Sequence, residues 1–582
     1  MEQAPAVWEK HSKAMVALCL RYIRAGLAEK DEDTAAPAPG GGGKAWRDGL
    51  KGWLGAVAAF GGIRGAYKAA ELRELLVALL KDADPTVQQA ALRCLERFKL
   101  AHLQPYLARL QGLVPLTRQG MERLPLAADA EDGVLEAHRA GFVPVLLRLL
   151  YPSIRKRKQR LTAKASKASA RAVVLNYLAA LRTAELRPLL ELVLEPVVAD
   201  LARTGASMRE VARWLDADGD AAPAATAGVV AAMGVVGEAD ARKVASRQSL
   251  GFLNMFEDLA THLGYHLLPY LHVPLHLLLQ IALAACRDGG AAEEGGGGDD
   301  GAAADEGGWE RREGQGGVTP KALRAASLNT LTDLVSRFDE YAWEPFAPAV
   351  RRLLHRALPA VAAQCTANPP PALQLVFALC QREGPAAVLR DEGEDDGGGG
   401  GGFRSLACVV DVLQAPRASP QCKALAISIF EAVVGLEPPL MEELMLPVAD
   451  GFLAACRAHL AEAPGAEELG HRALARELAV LEALTPYPRL FAAPADLVDA
   501  LCLVLERPPG KGRARAGVVS RALATLGGIW RHQAAAGEAQ DEDLARLLRV
   551  FGGLFGKVKD AQARVELCAA FEGMGAAFPR PP

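Results

Sequence analysis

Residues 71–98 read ELRELLVALLKDADPTVQQAALRCLERF. Leu72, Leu75, Leu76, Leu79 and Leu80 recur at i, i+3, i+4, i+7 and i+8, which lays one apolar stripe along an α-helix. Lys81-Asp82-Ala83-Asp84-Pro85 then interrupts the pattern as a turn. Pro85 suits the first position of a following helix, where a missing N–H costs nothing. Val87, Ala90, Ala91, Leu92, Leu95 and Phe98 supply the second stripe. The spacing predicts two antiparallel amphipathic helices joined by a tight turn.

The same grammar returns at 142–151, 171–181, 186–201, 250–263, 323–338, 346–361, 422–435, 441–460, 471–484, 496–507 and 517–530, and no alternating strand pattern interrupts it. Helix pairs repeated in this way predict an all-α chain, an α-α superhelix in which each pair buries its stripe on its neighbours. The pair at 71–98, with its LLxxLLxDxDPxVxxxALxxL character, resembles a HEAT repeat. The expected class is therefore a HEAT/armadillo-like solenoid. Units of that class run to ~40 residues, and the period is degenerate over the rest of the chain.

A length of 582 residues is too great for one core. At 51% hydrophobic the chain is too apolar to be disordered, and 5% aromatics is low for a compact α/β enzyme. Of the 57 glycines, 25 fall within 31–43, 216–228, 289–317 and 391–402, stretches without the apolar residues that offset ordering entropy. These read as Gly/Ala/acidic disordered inserts. The expected organisation is a helical array at 1–286 carrying a basic loop at 155–171, an acidic Gly-rich linker at 287–319, and a second array at 320–582 interrupted by the Gly/Asp-rich insert 391–402.

The formal net charge of −3 excludes a uniformly basic nucleic-acid coat. It conceals local imbalance: 287–313 holds nine acidic and three basic residues. The ten cysteines never come closer than the 14 positions between Cys408 and Cys422, so no zinc-ribbon spacing exists, and a reducing compartment is expected. Met1–Lys10 lacks a signal-peptide core. The most apolar stretch, 267–286, contains His272, His276, Gln280, Pro269 and Pro274, and reads as buried helix broken at its prolines.

Catalytic spacings are weak. Gly40-Gly41-Gly42-Gly43-Lys44 is shaped like a phosphate loop, but Ala45 stands where Ser or Thr should hold magnesium, and no strand precedes it. His262/His266 and His272/His276 form two i, i+4 pairs without an enclosed catalytic glutamate, and read as core or surface histidines. The exception is 155–171, RKRKQRLTAKASKASAR, where Arg155, Lys156, Arg157, Lys158, Arg160, Lys164, Lys167 and Arg171 give eight positive charges and no acid. Such clusters neutralise phosphates. The lack of aromatics argues against base stacking and favours backbone contact with structured RNA. A nuclear-localisation signal and a plain solvated loop are the competing readings.

The flanks of this segment carry a family likeness. His138-Arg139-Ala140-Gly141-Phe142-Val143-Pro144-Val145-Leu146-Leu147-Arg148-Leu149-Leu150-Tyr151 leads in, and Ala170 to Ala179 with Glu185 to Leu190 leads out. Gly251-Phe252-Leu253-Asn254-Met255-Phe256-Glu257-Asp258, Leu268-Pro269-Tyr270-Leu271, Phe338-Asp339-Glu340-Tyr341 and Pro345-Phe346 follow. Together these resemble the HEAT-repeat scaffold family of the small-subunit processome, known as down-regulated in metastasis or U-three-snoRNA-associated protein twenty. The likeness spans about residues 75–360. It implies a non-catalytic nucleolar scaffold supporting 18S rRNA processing, with processome proteins and pre-rRNA or snoRNA as partners, and no cofactor, membrane or small-molecule substrate. Family chains are several times longer, so a piece of a longer array with exposed apolar helix faces and a tendency to aggregate is expected. The alternative is a HEAT scaffold that binds only proteins, such as a nuclear transport receptor or a phosphatase scaffold.

Overall fold

The computed structural model describes residues 11–32, 43–155, 169–201, 247–287, 318–390, 405–462, 468–536 and 541–557, less short gaps within those ranges, and a few isolated positions beyond them. Nearly all of the four Gly-rich inserts, and residues 156–168 of the basic segment, lie outside the described residues. Among the described residues every regular element is an α- or 3-10 helix and no β-strand occurs. The all-α fold class follows directly.

The chain divides into two compact units, Met1–Met233 with Arg247–Pro274, and Gly234–Ser246 with Leu275–Pro582. The first holds α1 (Ser12–Glu32), α2 (Gly43–Ala58), α3 (Ala69–Leu79), α4 (Pro85–Arg97), α5 (Leu107–Gly112), α6 (Arg118–Glu122), α7 (Glu136–Arg155), α8 (Ala170–Leu178), α9 (Arg187–Leu201) and α10 (Arg247–Leu263). Successive pairs α3–α4, α7–α8 and α9–α10 pack internally, while α1 lies on α3, α2 on α4, α7 on α9, and α8 on α10. Two layers of stacked helices result, as a solenoid requires.

The pair α3–α4 shows how the turn is fixed. Leu72, Leu76 and Leu79 of α3 and Val87, Ala91, Leu92 and Leu95 of α4 are buried. Pro85 opens α4, and the Asp84 carboxylate caps it by accepting from the Thr86 N–H at 2.9 Å. Asp82 accepts from the Asp84 N–H, and Gln88 donates to Leu80 O and Leu149 O. Each polar residue of the Asp-x-Asp-Pro turn thus satisfies a backbone group left open by the helix ends. Burial pushes the Asp84 carboxyl up, but its bonds from Thr86 and Lys51 outweigh that and hold it at about 2.

The unit boundary falls at Pro274, inside α11 (His272–Arg287). Every residue of α11 from Val273 to Cys286 is buried, as suits a helix apolar on all sides. Pro269 lies in the 3-10 turn Gly264–Tyr270 that precedes it, whereas Pro274 sits in the first helical turn and breaks nothing. Among the described residues no single helix is long and apolar enough to cross a membrane.

The second unit continues through α12 (Pro320–Arg337), α13 (Ala347–Ala357), α14 (Val361–Gln364), α15 (Pro371–Cys380), α16 (Glu383–Ala387), α17 (Ser405–Gln414), α18 (Pro420–Val434), α19 (Pro438–Met445), α20 (Ala449–Glu462), α21 (Glu468–Leu484), α22 (Ala495–Glu506), α23 (Gly512–Ala536) and α24 (Asp541–Lys557). One layer runs α12–α15–α18–α21–α23 and the other α14–α17–α20–α22–α24, each helix on the next of its layer. The stretch 441–460, expected as one helix, is two: α19 and α20 meet at a 76° bend around Pro447, which has no N–H to carry the ladder through.

Candidate nucleic-acid interface

The basic segment is pinned at both ends. Its N-terminal end is the last turn of α7, where Arg155 is exposed at the negative pole of the helix. Its C-terminal end is Ser169, whose hydroxyl caps α8 by accepting from Ala172 N–H at 3.2 Å. Arg171 closes the base between them. Its Nε donates to Ile154 O at 2.5 Å and its Nη2 to Arg155 O at 3.0 Å, so two carbonyls left open by the end of α7 are satisfied. Its Nη1 donates to Asp258 Oδ2 of α10 at 2.6 Å.

Arg171 is only 4% exposed and therefore leaves the set of phosphate-contacting residues. The expectation that it would face solvent counted its charge and overlooked its spacing. Arg171 shares a face with Val174, Leu175 and Leu178, the buried stripe of α8. Arg155 stands exposed at the segment's entrance. Lys156, Arg157, Lys158, Arg160, Lys164 and Lys167 lie outside the described residues.

A second staple lies behind the first. Arg139 of α7 donates from Nε and Nη2 to the two carboxylate oxygens of Glu185 at 2.5 and 2.7 Å, and from Nη1 and Nη2 to Leu126 O at 3.0 Å. This forked geometry matches a buried arginine to a half-buried carboxylate. Burial pushes Glu185 up, yet the bonds from Arg139 and from the Arg182 N–H dominate and keep its carboxyl below the usual range. Gly141, two residues along, passes so close to the His102 ring that an added Cβ would lie 2.6 Å from it. Tyr106 Oη lies 3.2 Å from His138 Nδ1, and Tyr177 donates to Leu124 O at 2.6 Å.

The blocks quoted for the family likeness thus meet in space through Arg139–Glu185 and Arg171–Asp258. They are framework, and the segment between α7 and α8 is what the framework presents. Both acids stood in the quoted blocks, but nothing in linear spacing paired them with arginines 46 and 87 positions away.

The paired histidines separate. His262 Nδ1 lies 3.0 Å from Asn176 Oδ1 and His266 Nδ1 lies 3.1 Å from Thr183 Oγ1. His272 and His276 are buried in α11, and burial pulls His276 down to about 4. Among the described residues no three His, Cys, Asp or Glu side chains gather as metal ligands.

Residues 44–580 match the family model described as "U3 small nucleolar RNA-associated protein 20, N-terminal". The chain belongs to this family. Membership brings a role in ribosome biogenesis with the small-subunit processome. A solved structure of importin beta is similar over 94% of this chain and 74% of its own, at 13% identity and a TM-score of 0.26. A superposition that loose carries no argument, and the solenoid assignment rests on the two stacked layers.

Proposed function

We propose that the chain is a non-catalytic scaffold segment of the small-subunit processome, acting in 18S rRNA maturation in the nucleolus. Its helix stack holds processome proteins, and the segment 155–168 contacts phosphates of pre-rRNA or snoRNA. The observation that carries this reading is the pinned base. Two helices, a cap and a buried arginine hold the ends of a segment bearing seven positive charges and no acid. Fixing both ends lowers the entropy lost when such a segment meets a polyanion. Family membership supplies the RNA context.

Contacts of this kind are read by salt. Replacing Arg155, Lys156, Arg157 and Lys158 together with Gln should weaken binding to a labelled structured RNA across sequences. It should also reduce the slope of log affinity against log salt by about 3 to 4. Unchanged affinity and slope would overturn the assignment of the segment. The transport-receptor alternative gains nothing from the importin-beta likeness, and binding of a small GTPase by the full chain would be the result in its favour.

A further inference from the structure

The segment 155–171 carries no aromatic residue, but the first unit presents one elsewhere. Tyr67 lies in the turn between α2 and α3 and is 41% exposed. The turn itself is pinned. Ile63 is buried, and Ala66 N–H donates to Ile63 O and Ala69 N–H to Ala66 O, both at 3.2 Å. Arg64 Nε donates to Phe98 O at 2.7 Å and its Nη2 to Lys99 O at 2.8 Å, which ties the turn to the end of α4. The Tyr67 ring thus meets solvent from a fixed backbone.

Two ammonium groups accompany that ring. Lys13 Nζ of α1 lies over it at 5.5 Å from the ring centre, and Lys68 Nζ at 5.8 Å. The attraction is that of a cation for the negative face of an aromatic ring. Both lysines are exposed. Lys68 sits at φ 54° and ψ 34°, in the left-handed region that Gly and Asn enter most freely. A lysine in that position brings the second cation to the ring. Glu71, in the first turn of α3, lies 3.0 Å from Lys68 Nζ and also pairs with Arg24 of α1. One acid therefore answers three cations, and these four residues keep an excess of positive charge beside an exposed aromatic ring.

We propose that Tyr67, with Lys13 and Lys68, is a stacking site for an unpaired nucleobase of single-stranded RNA, the two ammonium groups taking the phosphates beside that base. A base offers the ring a larger apolar face than an ammonium does, and a flexible lysine can slide from the ring to the phosphate while remaining within reach of both. The site supplies what the segment 155–171 lacks: an aromatic platform for a base that is not held in a helix. The two would divide the work, the basic segment holding structured RNA by its backbone and Tyr67 holding an unpaired stretch. The choice of RNA as the polyanion rests on the processome reading.

The test uses the full chain, a labelled oligouridylate without structure of its own, a labelled RNA hairpin and salt titration. Tyr67→Ala should weaken binding of the single strand roughly tenfold or more, the range for one stacked base, and leave the salt slope unchanged because no charge is removed. Tyr67→Phe should bind like the parent, since stacking needs the ring and not the hydroxyl. Lys13→Gln/Lys68→Gln should weaken binding and also lower the salt slope by about 1 to 1.5. All three variants alter exposed side chains, so their thermal unfolding should match the parent. A strand carrying 4-thiouridine should photocrosslink to the peptide containing Tyr67. If Tyr67→Ala binds the single strand like the parent while the 155–158 variant loses the hairpin, this inference is overturned and the processome reading stands. Equal losses for Tyr67→Ala and Tyr67→Phe would overturn the stacking contact. If Tyr67→Ala weakens binding of polyglutamate and leaves RNA unchanged, the site belongs to an acidic protein and the RNA assignment fails. If the parent binds neither RNA, the processome reading fails and this inference with it.

Discussion

Arg171 and Arg352 each sit in a run of basic residues, and the two regions use the charge in opposite ways. Arg171 turns inward, satisfies two carbonyls and pairs with Asp258. Arg352 turns outward from a helix whose apolar stripe lies on the far side. The difference teaches that the number of charges in a run says less than their register against the apolar positions. A basic residue three, four and seven positions from buried residues becomes a staple. One on the opposite face becomes surface.

The first consequence is the largest. Arg139→Met removes the buried partner of a part-buried pair and leaves Glu185 with only its bond from the Arg182 N–H, so the first unit should lose about 3 kcal/mol. Arg171→Met should cost it about 1.5–3 kcal/mol, since charged hydrogen bonds and two carbonyl partners are lost while Asp258 keeps access to solvent. Denaturant midpoints of the first unit check both, and a loss below ~1 kcal/mol for Arg139→Met would remove the staple's claim to hold the blocks together. The contrast is Arg521→Ala in the second unit. Its pair with Glu482 at 3.1 Å is exposed on both sides, and the expected cost is only ~0–1 kcal/mol.

The smallest effect concerns pH. His459 of α20 lies 3.2 Å from Glu477 Oε1 of α21 through Nδ1 and 3.1 Å from Leu413 O at the end of α17 through Nε2. Only the protonated ring donates to both acceptors. The bond to the buried Glu477 raises His459 above its ordinary value, against burial and the nearby Lys423 charge. Cys456 also bonds to Glu477, and its thiol is pushed well up by burial first and that carboxylate second. A raised folded value means that the stabilisation is complete below the unfolded value of ~6.5 and is lost as pH rises through the folded one. The second unit should therefore soften as pH rises above ~6.5, and His459→Gln should flatten that dependence. An unaltered profile in the variant would assign the softening elsewhere.

Much of the fold was legible because amphipathic stripes report helices directly. The turn at Asp84-Pro85 was readable to the residue, since capping and proline placement are local. α15 escaped because PALQLVFALC has no polar face and so no period to read, although it packs between α12 and α18. The break at Pro447 was passed over because apolar spacing continued on both sides of it. The basic segment was visible as charge, but its clamp was not. Arg171–Asp258 joins residues 87 positions apart, and only the stacking of α8 on α10 brings them together.

The most direct measurement is to crosslink the full chain to RNA in cells and sequence what is attached. The scaffold reading predicts enrichment of small-subunit precursor rRNA or U3 snoRNA, falling when Arg155, Lys156, Arg157 and Lys158 are neutralised. Recovery of those RNAs at background level, with or without the substitutions, would contradict it.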